Sequence, residues 1–261
     1  MRSPRRTALI TGASGGIGAE LARLFAADGY DLILVARGGP ALTELGDEVR
    51  ARHGVSARVA IVDLAEPGAA ERLWADVVGQ DGSVDALVNN AGVGLYGPVA
   101  EQDRDALTRM LQLDVTAVTV LTRLALPGML RRGWGRIMNV ASVAAYQPGG
   151  ARMAAYYAAK AFVLSLSRGL SRELAGTGVH VTVLSPGPTR TAFEQRAGAG
   201  RTALYRWVPA MSARDVARAG YRGVQRGRAV VIPGVLAKVL AFAGELPPRR
   251  MALEVNRWLL S

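Results

Sequence analysis

The chain of 261 residues has no cysteine and only two histidines, His53 and His180. Without thiols there is no disulfide framework, no thiol nucleophile and no cysteine-ligated metal site. The histidines form no ligand-like cluster, and His180 lies in Val179-His180-Val181-Thr182-Val183, which reads as a sheet segment. Zinc chemistry and serine–histidine hydrolysis are therefore set aside. Long apolar runs are also missing. The basic start Met1-Arg2-Ser3-Pro4-Arg5-Arg6 leads into a few apolar residues that end in glycines, which is neither a signal peptide nor a membrane span. A cytoplasmic location is expected. No nucleic-acid motif is present, and basic residues are not interleaved with aromatics.

Hydrophobic residues make up 50% of the chain and charged residues 20%, enough for a sizeable core. The formal charge of +11 is uneven: residues 196–261 hold twelve Arg or Lys against three acids. Arg214, Arg218, Arg222 and Arg226 recur every fourth residue and mark one helical stripe. A solvated helix face is the plain reading. The sharper one is a landing surface for an acidic carrier protein, a phosphate-bearing substrate or an anionic membrane.

Elements alternate along the chain. Residues 7–11 read as a buried strand, followed by Gly12-Ala13-Ser14-Gly15-Gly16-Ile17-Gly18 and a helix to Asp28. Strand, glycine turn and helix together make a seat for a pyrophosphate, because glycine admits the close approach and the helix N-terminus attracts the charge. No Gly-Lys-Ser/Thr follows, which excludes a triphosphate P-loop. Asp31–Ala36 form the second strand and end at Arg37, with no carboxylate there to bind a ribose 2′-hydroxyl. Arginine at this place accommodates a 2′-phosphate, so with Ser14 nearby the cofactor expected is NADP(H) over NAD(H). A helix over 40–52, a strand over 57–64 ending near Asp63, and a helix closing at the Asp81-Gly82 turn come next. A fourth strand, 84–90, ends in Asn89-Asn90-Ala91-Gly92. One long amphipathic helix is predicted over 102–132, with Asp114 among its apolar positions, where an ionised acid needs a partner. The strand 136–141 leads to Ser142, a helix carries Tyr156 and Lys160 to Gly176, and the strand 179–184 ends in Ser185-Pro186-Gly187-Pro188-Thr189-Arg190-Thr191. This order predicts a single α/β domain, a doubly wound parallel sheet with helices on both faces.

Tyr156 and Lys160 stand four apart on one helix face. An ammonium near a phenol favours the phenolate and suits the tyrosine to acid–base work, and Ser142 could bind the same substrate oxygen. Tyr157, three residues from Lys160, is a rival on the residues alone.

These motifs together resemble the single-domain short-chain dehydrogenases/reductases over residues 7 to about 235. The stretch Thr11–Gly18 is similar to the family's Thr-Gly-x-x-x-Gly-x-Gly, and Asn89–Gly92 to its Asn-Asn-Ala-Gly. Ser142, Tyr156 and Lys160 resemble its catalytic serine, tyrosine and lysine, which favours Tyr156 over Tyr157. The resemblance implies a Rossmann-type fold and a ketone/alcohol oxidoreductase with Tyr156 as acid/base. The cofactor would be held by Gly12, Ser14, Gly16, Ile17, Gly18, Arg37, Asp63, Leu64, Asn90, Ala91, Gly92, Tyr156, Lys160, Pro186, Gly187, Thr189 and Thr191. NADP(H) preference would favour reduction. The family's fourth catalytic residue is an asparagine on the long helix, where this chain has Asp114. A homodimer or homotetramer is implied as well.

Substrate specificity is expected in a lid over 193–226, with Phe193, Leu204, Tyr205, Trp207, Val208 and Met211 as its apolar face and Gly198 and Gly200 as hinges. A helical extension over 234–261 would cover the site or rest on a membrane surface. An apolar lid with a basic flank suits a 3-oxoacyl thioester, free or carrier-bound, or a lipophilic ketone such as a steroid. The alternative reading is a regulatory protein that binds NADP(H) without catalysis.

Overall fold

A computed structural model describes residues 5–79, 83–193, 197–198, 209–245 and 249–259. Nine short strands alternate with helices. The strands are β1 (Thr7–Thr11), β2 (Asp31–Ala36), β3 (Ala57–Ile61), β4 (Ala86–Asn89), β5 (Gly135–Val140), β6 (Val179–Leu184), β7 (Thr189–Arg190), β8 (Met211–Ser212) and β9 (Val230–Val231). Seven of them form one parallel sheet in the order β3-β2-β1-β4-β5-β6-β9, and β7 pairs with β8. Side chains alternate across the sheet as strand geometry requires. Leu9, Val35, Leu87 and Ile137 enter one core, while Ala8, Ile10, Leu34 and Met138 enter the other.

The helices are α1 (Gly16–Ala27), α2 (Gly39–His53), α3 (Ala69–Val77), α4 (Arg104–Leu111), α5 (Val118–Arg132), α6 (Ala154–Glu173), α7 (Ala213–Gln225), α8 (Val235–Glu245) and α9 (Arg249–Leu259). On one side α1, α2 and α7 close over the sheet around Phe25, whose ring meets Tyr30 and Tyr221 edge-on at 5.1 and 4.8 Å. On the other side Leu73 of α3 and Leu121, Ala125 and Met129 of α5 do the same. Arg214, Arg218 and Arg222 lie exposed on α7 and Arg226 caps its end, opposite Val216, Ala217, Tyr221 and Val224, which are buried.

The structure corrects the helix expected over 102–132. It is divided: α4 and α5 are joined by a π-helical stretch, Gln112–Ala117, that carries Asp114. An apolar stripe at helical spacing cannot reveal a single widened turn, and such turns are frequent at functional sites. Asp103 caps the start, accepting from the Ala106 N–H at 2.7 Å. The stretch Arg104–Arg132 is long and apolar enough to cross a membrane by length and composition alone. Here Leu113, Ala117, Leu121, Ala125 and Met129 are buried against the sheet. The third strand also stops early, at Ile61 rather than Leu64, so residues 62–64 leave the sheet toward its C-terminal rim. The Asp81-Gly82 turn lies outside the described residues.

The crossover between β1 and β4 is tied by side chains. Asn90 Nδ2 donates to the carbonyls of Thr11 (2.9 Å) and Gly12 (3.2 Å), and Thr11 Oγ1 accepts from the N–H groups of Asn90 and Ala91, both at 3.0 Å. Gly12 is left-handed, with φ of 65°, and a Cβ there would fall 2.7 Å from Asn90 Nδ2. At Gly18 a Cβ would meet the Gly12 carbonyl oxygen at 2.3 Å, so α1 packs on the turn before it. Replacing Gly18 by Ala is expected to cost about 2 kcal/mol by overpacking. Denaturant unfolding should show the loss, and Gly15→Ala, where a Cβ meets open space, should lose far less.

Candidate active site

The C-terminal ends of β1, β2, β4, β5 and β6 converge on a cavity of about 740 Å³. It opens beside the β1–β4 crossover, where the strand order reverses, the usual ligand position in open parallel sheets. One end is floored by the glycine turn. No side chain caps α1 and its first turn carries no acid, so its unpaired N–H groups can receive an anion. Gly16 and Ile17 line the cavity there, and Thr191 from the loop after β6 closes against Gly16, its Cγ2 lying 2.9 Å from where a Cβ would be.

Of the predicted cofactor residues, Gly12, Ser14, Gly16, Ile17, Arg37, Asp63, Leu64, Asn90, Ala91, Gly92, Tyr156, Lys160, Pro186, Gly187, Thr189 and Thr191 all line this one cavity. Gly18 does not line it and packs behind the turn. Arg37 is half exposed at the rim, with Nη1 3.9 Å from Asp63 Oδ2. Asp63 Oδ1 accepts from the Ala65 N–H at 3.0 Å, and its other oxygen binds Arg109 Nη2 at 2.6 Å. Arg109, which also pairs with Glu66, therefore joins α4 to the Asp63 corner. No sequence pattern pointed to it, because its partners are more than forty residues away.

At the other end stand Ser142, Tyr156 and Lys160. Ser142 Oγ caps a short 3₁₀ turn, Val143–Tyr146, by accepting from the Ala144 N–H at 3.2 Å. Ser142 and Tyr156 line the same end of the cavity. Tyr156 is buried, with Phe193 5.6 Å and Tyr157 6.3 Å away between ring centroids. The Lys160 ammonium lies 5.7 Å from the Tyr156 ring centre, and its Nζ donates to the Val140 carbonyl at 3.4 Å. Burial is the largest influence on the phenol and pushes it above its ordinary value. The neighbouring Ser142 hydroxyl pulls it down and the Asp114 carboxylate pushes it up further.

Asp114 does not line the cavity. It is fully buried directly behind Lys160, with Oδ2 2.9 Å from Nζ and Oδ1 accepting from the Val93 N–H at 2.9 Å. Burial pushes this carboxyl up from its ordinary value, while Lys160 and the Val93 N–H draw it down. Gly92 presses on the pair: a Cβ there would lie 3.1 Å from Nζ and 3.3 Å from Oδ2.

Between the two ends the wall is apolar. Phe193 and Met153 line it, with Leu240 from α8 and Leu259 from α9. Sequence reading did not find Gln147, Met153, Leu240 or Leu259, which come together only in three dimensions. Gln147 is fastened to α8, donating to the Leu240 carbonyl at 2.7 Å. Of the expected lid, Phe193 lines the cavity and Met211 lies in β8. Residues 213–225 form α7, packed on α1. Leu204, Tyr205, Trp207, Val208 and Gly200 lie outside the described residues. Tyr157 also lines the cavity, its ring packed against Gly150, where a Cβ would meet it at 2.6 Å.

The family described as short chain dehydrogenase matches residues 6–202. The chain belongs to the short-chain dehydrogenase family. A short chain dehydrogenase of Pseudocercospora fijiensis is 37% identical over 184 residues, which are 70% of this chain and 59% of that protein. A solved short-chain dehydrogenase from Sphingobium yanoikuyae in complex with NADPH is 34% identical, covers 92% of both chains and superposes with a TM-score of 0.82. A bulky-bulky ketone specific alcohol dehydrogenase from Comamonas testosteroni is 31% identical over 89% of this chain and 88% of its own, with a TM-score of 0.77. This short-chain dehydrogenase is thus an oxidoreductase of the CH–OH/C=O class with a nicotinamide-binding fold.

Substituting Gly92 by Ala should displace the Lys160 ammonium from Asp114 by a few tenths of an ångström. The expected result is at least a tenfold fall in turnover with little loss of thermal stability, read by steady-state kinetics and melting.

Proposed function

We propose that the protein reduces a bulky lipophilic ketone to a secondary alcohol with NADPH, using Tyr156 as the proton donor. The observation that carries this reading is the single cavity with Ser142, Tyr156 and Lys160 at one end, the glycine turn and Arg37 at the other, and an apolar wall between. When bound, the nicotinamide supplies a hydride to the carbonyl carbon. Ser142 and Tyr156 would hold the carbonyl oxygen, and the phenol would deliver the proton to that oxygen as the carbon is reduced. Lys160 would steady the Tyr156 end of the cavity and hold the cofactor ribose beside it. Asp114 would keep Lys160 in place from behind. At the far end, Arg37 and Ser14 would receive a 2′-phosphate, while the uncapped first turn of α1 takes the pyrophosphate.

Two features support a bulky, apolar substrate. Met153 and Phe193 line the cavity beside Tyr156, and Leu240 and Leu259 line it from the C-terminal helices. A steroid-like ketone or a 3-oxoacyl thioester fits this wall better than a small polar carbonyl. The NADPH complex of the Sphingobium relative and the ketone specificity of the Comamonas enzyme agree with the cofactor and substrate assigned here. Assembly as a homodimer or homotetramer and action in the cytoplasm belong to the same reading.

The test is oxidation of NADPH and of NADH with steroids, 3-oxoacyl thioesters and simple ketones, run beside Tyr156→Phe. Turnover with NADPH should fall by at least a thousandfold in the variant, while NADPH binding, read by fluorescence, stays within a few-fold. Tight NADPH binding by the native protein with no turnover on any carbonyl would instead favour a regulatory role. Separately, Arg37→Asp should raise the NADH to NADPH ratio of kcat/KM by at least tenfold, since it removes the cation and supplies a ribose-binding carboxylate.

A further inference from the structure

Lys160 is held from three directions. It projects from α6, its ammonium meets Asp114 Oδ2 at 2.9 Å from the π-helical turn, and Gly92 of the loop after β4 leaves no space beside the pair. Both side chains are almost wholly buried, at 6% and 0% exposure. Water screens them less there than at the surface, so each charge acts more strongly on its neighbours. Tyr156 lies one helical turn before Lys160, within reach of both charges. An ammonium alone would draw the proton off the phenol. An ammonium with a carboxylate against it presents a near-neutral pair, and the phenol feels little of the cation.

We propose that Asp114 is a positioning residue that keeps the proton on Tyr156: by neutralising Lys160 it sets the site to give a proton to a carbonyl oxygen and to resist taking one from an alcohol. This rests on the reductive reading above and deepens it. Among the described residues, the charged and titratable groups on the elements around Tyr156 other than Lys160 and Asp114 are exposed or engaged elsewhere. On α6 the groups nearest in sequence are Lys160 and Tyr157. The π-helical turn contributes Asp114, and the 3₁₀ turn contributes Tyr146, whose hydroxyl is bound to Ser185 Oγ at 3.3 Å. On α4, Arg104 and Asp105 are exposed and Arg109 is engaged by Asp63 and Glu66. Strand β5 contributes Arg136, which donates to backbone carbonyls at Gly135 and Gly178, and β6 contributes His180, whose side chain is exposed. The direction of the Tyr156 titration agrees, since burial and the Asp114 carboxylate both oppose the phenolate.

The sign of the pH dependence follows. Reduction needs the protonated phenol, so its rate is level at low pH and falls as pH rises through the Tyr156 titration. Oxidation needs the phenolate and rises through the same titration. Asp114→Asn keeps the shape and an oxygen for the Val93 N–H but removes the negative charge. Lys160 then acts on the phenol uncompensated, and both limbs should move down by about one to two pH units, the range for a nearby opposite charge. Alcohol oxidation at neutral pH should rise about tenfold or more, and carbonyl reduction at alkaline pH should fall by a similar factor.

The deciding measurement needs no substrate: titration of tyrosinate ultraviolet absorbance in the native protein and in Asp114→Asn, each minus its Tyr156→Phe counterpart. Tyr156 should titrate above the ordinary phenol value of about 10 in the native protein and lower in the variant. Asp114→Ser should shift it the same way. Equal titration in native and variant proteins, or a native Tyr156 titrating at or below the ordinary value, overturns the proposal. So does a loss of melting temperature in the variants with no movement of the titration, which would make Asp114 structural only. If the titration moves but no carbonyl is reduced, the proton-holding role stands and the reductase reading fails.

Discussion

The buried contact between Asp114 and Lys160 is the interaction on which the rest of this site depends. A lysine drawn into a protein interior is costly unless an opposite charge meets it, and stripping one member of such a pair leaves the other stranded at about 3–5 kcal/mol. Several features of the fold serve that contact. The π-helical stretch between α4 and α5 carries Asp114 into a fully buried position, the loop after β4 supplies the Val93 N–H that holds the second oxygen, and Gly92 removes the side chain that would obstruct both. Lys160 is one of only two lysines in a chain whose positive charge is otherwise arginine. Its compact point charge fits behind Gly92 where a planar guanidinium would not.

The contact is supported by a second layer of buried polar bonds. Asn89 Nδ2 donates to Asn139 Oδ1 at 2.9 Å and to Thr122 Oγ1 at 3.1 Å, and Asn139 Nδ2 donates to Ser167 Oγ at 3.0 Å. This chain ties β4 and β5 to α5 and α6; Tyr156 and Lys160 lie on α6 and Ser142 follows β5. Asn89 Oδ1 is buried without a partner, so the network ties these elements together while leaving one acceptor unpaired, which costs stability.

Much of this was legible beforehand. β1, β2 and β6 fall on the residues their apolar runs marked, because a parallel strand buried on both faces leaves a short unbroken hydrophobic signature. Most of the residues singled out beforehand line the one cavity, and many of them sit at a strand end or helix start where Gly, Asn, Ser or Pro interrupts that signature. What stayed hidden has a common cause. The π-helical turn keeps the same apolar stripe as an ordinary helix, so 102–132 read as one continuous helix. Asp114 was seen as needing a partner, yet its direct approach to Lys160 depends on that turn. Arg109, Gln147, Leu240 and Leu259 matter through neighbours far away in the chain, and no local pattern announces them.

The hydrogen bonds between Asn90 and Thr11 join residues 79 positions apart, and this has a consequence for how the protein folds. The parallel strands β1 and β4 can pair only after β2, β3 and the helices between them have been gathered into the loop that their pairing closes. Pairings over such long separations form slowly, because the chain gives up loop entropy before any contact rewards it. The floor of the cavity is therefore among the features that exist only once the sheet is assembled. A partly folded chain holding β1, β2 and β3 alone has the glycine turn but not the wall opposite it. A ligand that spans the crossover recognises the finished sheet and draws the equilibrium toward it by mass action.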